Sequence, residues 1–242
     1  LTVNEEMYVA RPPLFSNVIT FDHYIDLIYN TSFMHNVWNS FVIAAITTII
    51  CLAIGILGSY AMTRLKYPGR SFFRNSIIIS YLMPTAVLFV PMYVIVSSLG
   101  FYDNKYALLI IYPTFVVPYC CYMLISYFKA IPYALEEAAL IDGCNRLQTL
   151  WYIIMPIALP GIAVVATFAF TMAWNEYLYA MIMTTSNVQK TATVAISGFK
   201  YADSAIWGRI MSASVVCSLP VTLLYIVAQS MLISGKYEGS VK

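Results

Sequence analysis

The stretch Asn36–Thr63 reads NVWNSFVIAAITTIICLAIGILGSYAMT and carries no acidic or basic side chain. Twenty mostly apolar residues are enough for a helix to cross a bilayer, and this run exceeds that length. It is also continuous. A membrane β-strand would alternate apolar and polar residues over about ten positions, so the reading here is helix. Four further charge-free stretches follow, at about 75–99, 106–128, 152–175 and 210–234. The fold class expected is all-α: a polytopic membrane helix bundle of five spans.

The whole chain agrees with this local reading. Of its 242 residues, 61% are hydrophobic and only 10% are charged, against about a quarter charged in ordinary soluble domains. A soluble enzyme and a disordered chain are both poor fits. The net charge of +2 gives no basic excess for binding nucleic acid.

Small residues mark expected packing faces. They are Gly55, Gly58 and Ser59 on the first span, and Ser212, Ala213, Ser214 and Ser218 on the fifth. Pro84, Pro91, Pro113, Pro118, Pro156, Pro160 and Pro220 fall inside spans. They read either as ordinary kinks or as bends that shape a central pathway.

Orientation follows from Arg64, Lys66, Arg70 and Arg74, which share one loop with no acid between them. The positive-inside rule makes that loop cytoplasmic. Alternation then places 129–151 and the tail 235–242 inside. Residues 1–35, the turn near Asp103 and the stretch 176–209 fall outside. The chain begins at Leu1 with no signal-peptide pattern before an external segment. A further span is therefore expected ahead of residue 1, for six in all. The alternative is a five-span protein with its N-terminus outside.

The span interiors hold no Asp, Glu, Lys, Arg or His. Such groups usually serve proton- or ion-coupled carriers and intramembrane enzymes, so neither class is favoured. His23 and His35 read as surface residues in the external segment. Of Cys51, Cys120, Cys121, Cys144 and Cys217, no two form a CxxC pair, so no metal or redox site is expected. The energy for any transport should then come from another subunit, and a cytoplasmic docking element should exist.

The segment 130–152, AIPYALEEAALIDGCNRLQTLWY, supplies the candidate. Pro132 suits a first helical turn, and Ala134 to Ile141 favour helix. Gly143 fits a C-terminal cap, and Asn145 can cap a second short helix. Ala138 and Ala139 offer a low profile for close approach, with Leu135 and Leu147 as apolar grip. The other reading is a helix lying on the membrane surface. Such helices are rich in Lys and Arg, whereas this one carries Glu136, Glu137 and Asp142 and would be repelled by anionic lipid.

Glu137-Ala138-Ala139, Gly143 and then Ile153-Ile154-Met155-Pro156 resemble the EAA signature of the permease subunits of ABC importers, with Met155 in place of the usual Leu. Asn39-Ser40, the Arg64–Arg70 loop, Pro84 with Pro91, Trp174-Asn175 and the closing Gly235-to-Lys242 stretch resemble the carbohydrate branch of that family, and most of all the second permease subunit of maltose-type importers. The resemblance implies a bacterial or archaeal inner-membrane protein that is not an enzyme. It forms half of a heterodimeric permease with a second permease subunit. Two ATPase subunits bind ATP and Mg, an external solute-binding protein delivers the cargo, and this chain itself holds no cofactor.

Coupling to the ATPase is implied for Glu136, Glu137, Ala138, Ala139, Asp142, Gly143 and Leu147, with Glu137 as a polar anchor. Contact with the ATPase dimer is implied for Gly239, Ser240 and Lys242, or else the tail is a disordered terminus. The outer stretch 186–207 resembles a loop that probes the binding protein, or is a plain surface loop. Tyr81, Asn175, Glu176, Tyr177 and Tyr179 are candidates for the solute pathway on chemical type alone; Tyr is also a routine membrane anchor. A non-sugar cargo such as a glycerophosphodiester, polyol or uronate oligomer fits the same architecture. A standalone secondary carrier fits the sequence poorly.

Overall fold

The computed structural model describes residues 20–201, 204–205 and 207–238. The chain folds as a helical bundle. A short helix α1 (Asp22–Tyr29) precedes the long α2 (Phe33–Arg64). Then come α3 (Arg70–Leu82), a 3₁₀ turn at Thr85–Leu88 and α4 (Phe89–Ser98). A second 3₁₀ turn at Lys105–Ala107 leads into α5 (Leu108–Ile111) and α6 (Pro113–Ala130). Two short helices, α7 (Ala134–Ile141) and α8 (Arg146–Thr149), occupy the loop after α6. A π-helical turn at Leu150–Ile154 passes into α9 (Met155–Trp174). The segment after α9 holds α10 (Leu178–Met183), α11 (Ala192–Ser197) and a two-residue antiparallel pairing of Lys200–Tyr201 with Ser204–Ala205. Helix α12 (Trp207–Glu238) closes the fold.

Among the described residues, three helices are long and apolar enough to cross a membrane: α2, the run through α8 and α9, and α12. Two bent pairs would each add one more. The stretch 75–99, read above as a single span, is folded by 94° between α3 and α4. Pro84 is the cause. The residue before a proline is driven to extended backbone, and Met83 has ψ 130° where helix would require about −40°. The next pair bends by 42° where Pro113 opens α6. Pro118, Pro160 and Pro220 remain inside their helices.

Helix α2 is the hub and packs against α6 and α9. Gly55 lets α2 and α6 approach closely: a Cβ there would lie 3.0 Å from Cβ of Cys120. One turn on, the Ser59 hydroxyl donates to the carbonyl of Cys121 at 3.2 Å. Two large clusters make up most of the core. Leu124, Phe128, Leu150 and Ile154 pack with Cys51 and Tyr60 in one half, and Ile43, Leu108, Tyr112 and Trp174 fill the other. On α12, Ser212 and Ala213 are buried, while Ser214 and Ser218 are exposed. Ala213 shares a third cluster with Leu27 of α1 and Phe33 at the start of α2.

Candidate coupling and translocation site

The loop between α6 and α9 folds as its residues suggest. Helix α7 ends at Asp142, and Gly143 takes φ +91°, the left-handed conformation that closes a helix at least cost when the residue lacks a Cβ. The amide of Cys144 reaches back to the carbonyl of Ala139 at 2.9 Å, and that of Gly143 to Leu140 at 3.2 Å. These bonds satisfy carbonyls that the helix end would leave unpaired. Asn145 then caps α8. Its side chain accepts from the Gln148 amide at 2.9 Å, and the Gln148 side chain accepts from the Asn145 amide at 2.8 Å. This reciprocal capping box starts a second helix after only four intervening residues.

The two helices show solvent a mixed face. Glu137, Ala138, Ile141, Asp142, Gly143 and Leu147 are exposed. Apolar and acidic groups side by side on a protruding hairpin suit a protein partner better than lipid. Two of the residues grouped with this face point the other way: Glu136 is 0% exposed and Ala139 is buried. They lie three positions apart and so share one stripe of α7. Ala139 therefore supplies close packing against the chain's own core. Glu136 does not contribute to an acidic docking surface.

Glu136 is held from the membrane side. Its Oε1 lies 2.8 Å from Nε of Arg64, the last residue of α2, which is itself only 6% exposed. The Arg64 guanidinium also donates through Nη2 to the carbonyls of Phe128 and, at 2.7 Å, Ile131 at the end of α6. It sits 5.4 Å from the ring centroid of Tyr133. Nη1 of Arg146 is 3.8 Å from Glu136 Oε2, and the Tyr60 hydroxyl donates to the Arg146 carbonyl at 3.4 Å. Burial raises the pKa of Glu136 from its ordinary value, and the two arginines oppose that shift only in part. The sequence offered Arg64 only as one charge in a basic loop. Its buried role could have been suspected from position, because it lies a turn from Tyr60 on the same face of an otherwise uncharged helix.

The pathway candidates separate. Tyr179 is 2% exposed, donates its hydroxyl to the Thr85 carbonyl at 2.8 Å and packs on Phe89 and Phe115. It is a core residue that braces the broken span. Glu176 accepts the amides of Tyr179 and Ala180, at 2.9 and 3.1 Å, and the Tyr112 hydroxyl at 3.0 Å. It starts α10 rather than facing an open path. Tyr177 and Asn175 are exposed, and Asn175 lines a cavity with Trp174, Thr193, Ser218 and Thr222.

Tyr81 joins a wider set that composition could not single out among 20 tyrosines. Its ring stacks on Tyr122 with centroids 5.3 Å apart and planes at 12°, and lies 6.0 Å from Tyr119. Tyr119 meets Phe168 at 6.0 Å, and Phe168 meets Tyr225 at 6.2 Å. The five rings come from α3, α6, α9 and α12. The tail residues Gly239, Ser240 and Lys242 lie outside the described residues.

A family model described as the binding-protein-dependent transport system inner membrane component matches residues 54–234. The chain belongs to this family. It is a permease component of an ABC transporter, a multi-pass membrane protein and not an enzyme. ATP is bound by the ATPase subunits of such transporters.

Among the chain's relatives, the inner membrane ABC transporter permease protein YcjP of Escherichia coli (strain K12) is 36% identical over 241 residues, covering 98% of this chain and 86% of the relative. The trehalose/maltose transport system permease protein MalG of Thermococcus litoralis is 30% identical, covering 95% of this chain and 84% of the relative. A bacterial ABC transporter for import of the acidic polysaccharide alginate superposes with a TM-score of 0.81 at 22% identity, over 95% of this chain and 85% of that one. That likeness establishes the bundle architecture of the permease.

Proposed function

We propose that this permease serves an ATP-driven importer for a sugar or oligosaccharide, forming half of the path with a second permease subunit. The exposed face of α7 and α8 docks on a cytoplasmic ATPase subunit. A solute-binding protein delivers cargo at the opposite end, where α1, α10 and α11 lie. The basic loop 64–74 supports a cytoplasmic docking face and, with it, a cytoplasmic C-terminal end of α12. Permeases of similar sequence carry names for trehalose, trehalose/maltose and diacetylchitobiose.

The aromatic ribbon carries the sugar reading. Its four tyrosine hydroxyls, on Tyr81, Tyr119, Tyr122 and Tyr225, make no hydrogen bond among the described residues. A hydroxyl facing hydrocarbon would stay unsatisfied at a cost of a few kcal/mol. A wet pathway removes that cost. A pyranose has an apolar ring face and a rim of hydroxyls, which match an aromatic face with a polar tip.

The test is purification of the intact transporter followed by uptake of labelled disaccharides into proteoliposomes. The expected result is co-purification with an ATPase and a second permease, ATP-dependent uptake, and loss of uptake in Tyr119→Ala and Tyr122→Ala. Uptake by the chain alone without ATP, or full uptake by both variants, contradicts the proposal.

A further inference from the structure

Four of the five apolar stretches hold proline. Helices α3 and α4 fold at Pro84, and α6, α9 and α12 contain Pro118, Pro160 and Pro220. Helix α2 is different. Its 32 residues hold no proline, and at the rise of an α-helix they form a rod about 48 Å long.

Both ends of that rod are fastened by buried polar groups. At the cytoplasmic end Arg64 grips Glu136 of α7 and the terminal carbonyls of α6, and Tyr60, one turn back, reaches the first residue of α8. At the outer end Asn39 is 0% exposed. It donates through Nδ2 to the carbonyls of Val188 at 2.8 Å and Lys190 at 3.0 Å, and its Oδ1 accepts from Nζ of Lys105 at 2.7 Å. The neighbouring Ser40 hydroxyl oxygen accepts the amide of Ala192 at 2.8 Å. The outer loop 188–192 is thus bonded to α2 through its backbone.

Short helices such as α7 cannot be held in place by apolar burial alone. Glu136 and Ala139 are the two buried positions of its eight residues, so the ion pair fixes where the helix sits. A displacement of the docking helices is then passed to Arg64. An unbroken, hydrogen-bonded helix without proline transmits it along its axis where one containing proline flexes more readily.

We propose that α2 is a rod that carries motion between the docking helices and the outer loop 188–192, with Arg64–Glu136 and Asn39 as the positioning residues at its two ends. This rests on the assignment of α7 and α8 as the ATPase-docking face. The ends are 25 residues apart along α2, about 38 Å, and substitutions so far apart ordinarily act independently. A rod in series makes a different demand: once one end is released, releasing the other changes nothing further.

The experiment uses the complete transporter, reconstituted with its own ATPase, second permease and binding protein. The readout is the ratio of ATP hydrolysis with solute-loaded binding protein to hydrolysis without it. Glu136→Gln and Asn39→Ala should each lower that ratio about tenfold, and the double variant should fall no lower than either single. A double-variant loss equal to the product of the two single losses, or single variants with normal ratios, would overturn the rod. Arg64→Lys and Ser40→Ala are milder releases of the same ends and should show the same pattern. Failure of all four to assemble would also overturn the rod, by making these contacts folding elements only. Ala138→Trp on the exposed face separates the two ideas. If it leaves the ratio intact, the docking assignment fails. If it abolishes the ratio while the end variants do not, the rod alone fails.

Discussion

Glu136 and Arg64 form an ion pair 2.8 Å apart with both side chains sealed from solvent. The two are not equally dispensable. Arg64 keeps the carbonyls of Phe128 and Ile131 if the carboxylate is neutralised, whereas Glu136 without Arg64 is left with only Arg146 at 3.8 Å. Arg64→Met should therefore destabilise the assembled protein by about 3–5 kcal/mol, the usual cost of a stranded buried charge, and Glu136→Gln by clearly less. The pH dependence follows from the raised pKa of Glu136. Folding favours its protonated form, so its contribution is complete below the unfolded value near 4.5 and is lost as pH rises through the folded value. Thermal unfolding of the purified transporter across that window should show a slope that Glu136→Gln removes. Equal losses in the two variants would mean that the pair is not the contact that matters.

Asp26 of α1 takes a forked contact from Arg209 near the start of α12, through Nε and, at 3.0 Å, Nη2. That contact, with a second hydrogen bond from Asn30, lowers the pKa of Asp26. The sign is opposite to that of Glu136. The stabilisation is present above the unfolded value near 3.8 and is lost as pH falls through the folded one. The pair is partly solvated, so Asp26→Asn should cost no more than about 1 kcal/mol. Protection factors of the α1 amides, with the intrinsic pH dependence of exchange divided out, should fall in acid in the natural protein and stay unchanged in Asp26→Asn. Acid protection that is identical in the two would exclude this contact as the tether.

Much of this architecture is legible in the sequence because a bilayer imposes length and charge rules that need no tertiary knowledge. Uncharged runs give the apolar stretches, Arg64 to Arg74 give the orientation expected of them, and Gly143 with Asn145 gives the helix–turn–helix of the docking loop. Legibility stops where direction matters. Whether Glu136 or Glu137 faces outward depends on how α7 rolls against α2, and one sequence shows only that both are acidic. Pro84 could be read as a kink, but a bend of 94° depends on the packing of α4 and on the Tyr179 hydroxyl bonded to Thr85. Tyr179 itself is indistinguishable by type from Tyr81. One is buried and the other opens onto the ribbon, and only the fold separates them.

Gly55 governs how closely α2 and α6 meet. A Cβ at this position would lie 3.0 Å from Cβ of Cys120 and 3.3 Å from Cδ1 of Leu124. The first of these atoms is fixed to the backbone of α6 and cannot swing away. Gly55→Val should push the helices apart and cost about 1–3 kcal/mol, the range for overpacking a tight core. The Ser59 hydroxyl bond to Cys121 lies one turn along and should lengthen with it. Cysteine-accessibility labelling at Cys121, which is buried, should rise in Gly55→Val while the natural protein stays protected. Unchanged protection and stability would mean that the two helices have slack at this crossing.

Gly143 tests the docking loop through backbone conformation alone. A Cβ built there meets nothing within 4 Å, so crowding is not the obstacle. The obstacle is φ +91°, which a side chain disfavours by roughly 1–2 kcal/mol. Asn tolerates this region better than other residues with a Cβ, and β-branched residues tolerate it least. The expected order of damage is therefore Gly143→Asn, then Gly143→Ala, then Gly143→Val. The cost falls on the turn that separates α7 from α8, so the exposed face loses its shape while the spans stay folded. Co-purification of the ATPase subunit with each variant should follow that order, with thermal unfolding of the membrane bundle unchanged. If Val and Asn retain the ATPase equally well, the left-handed turn is not what shapes the docking face.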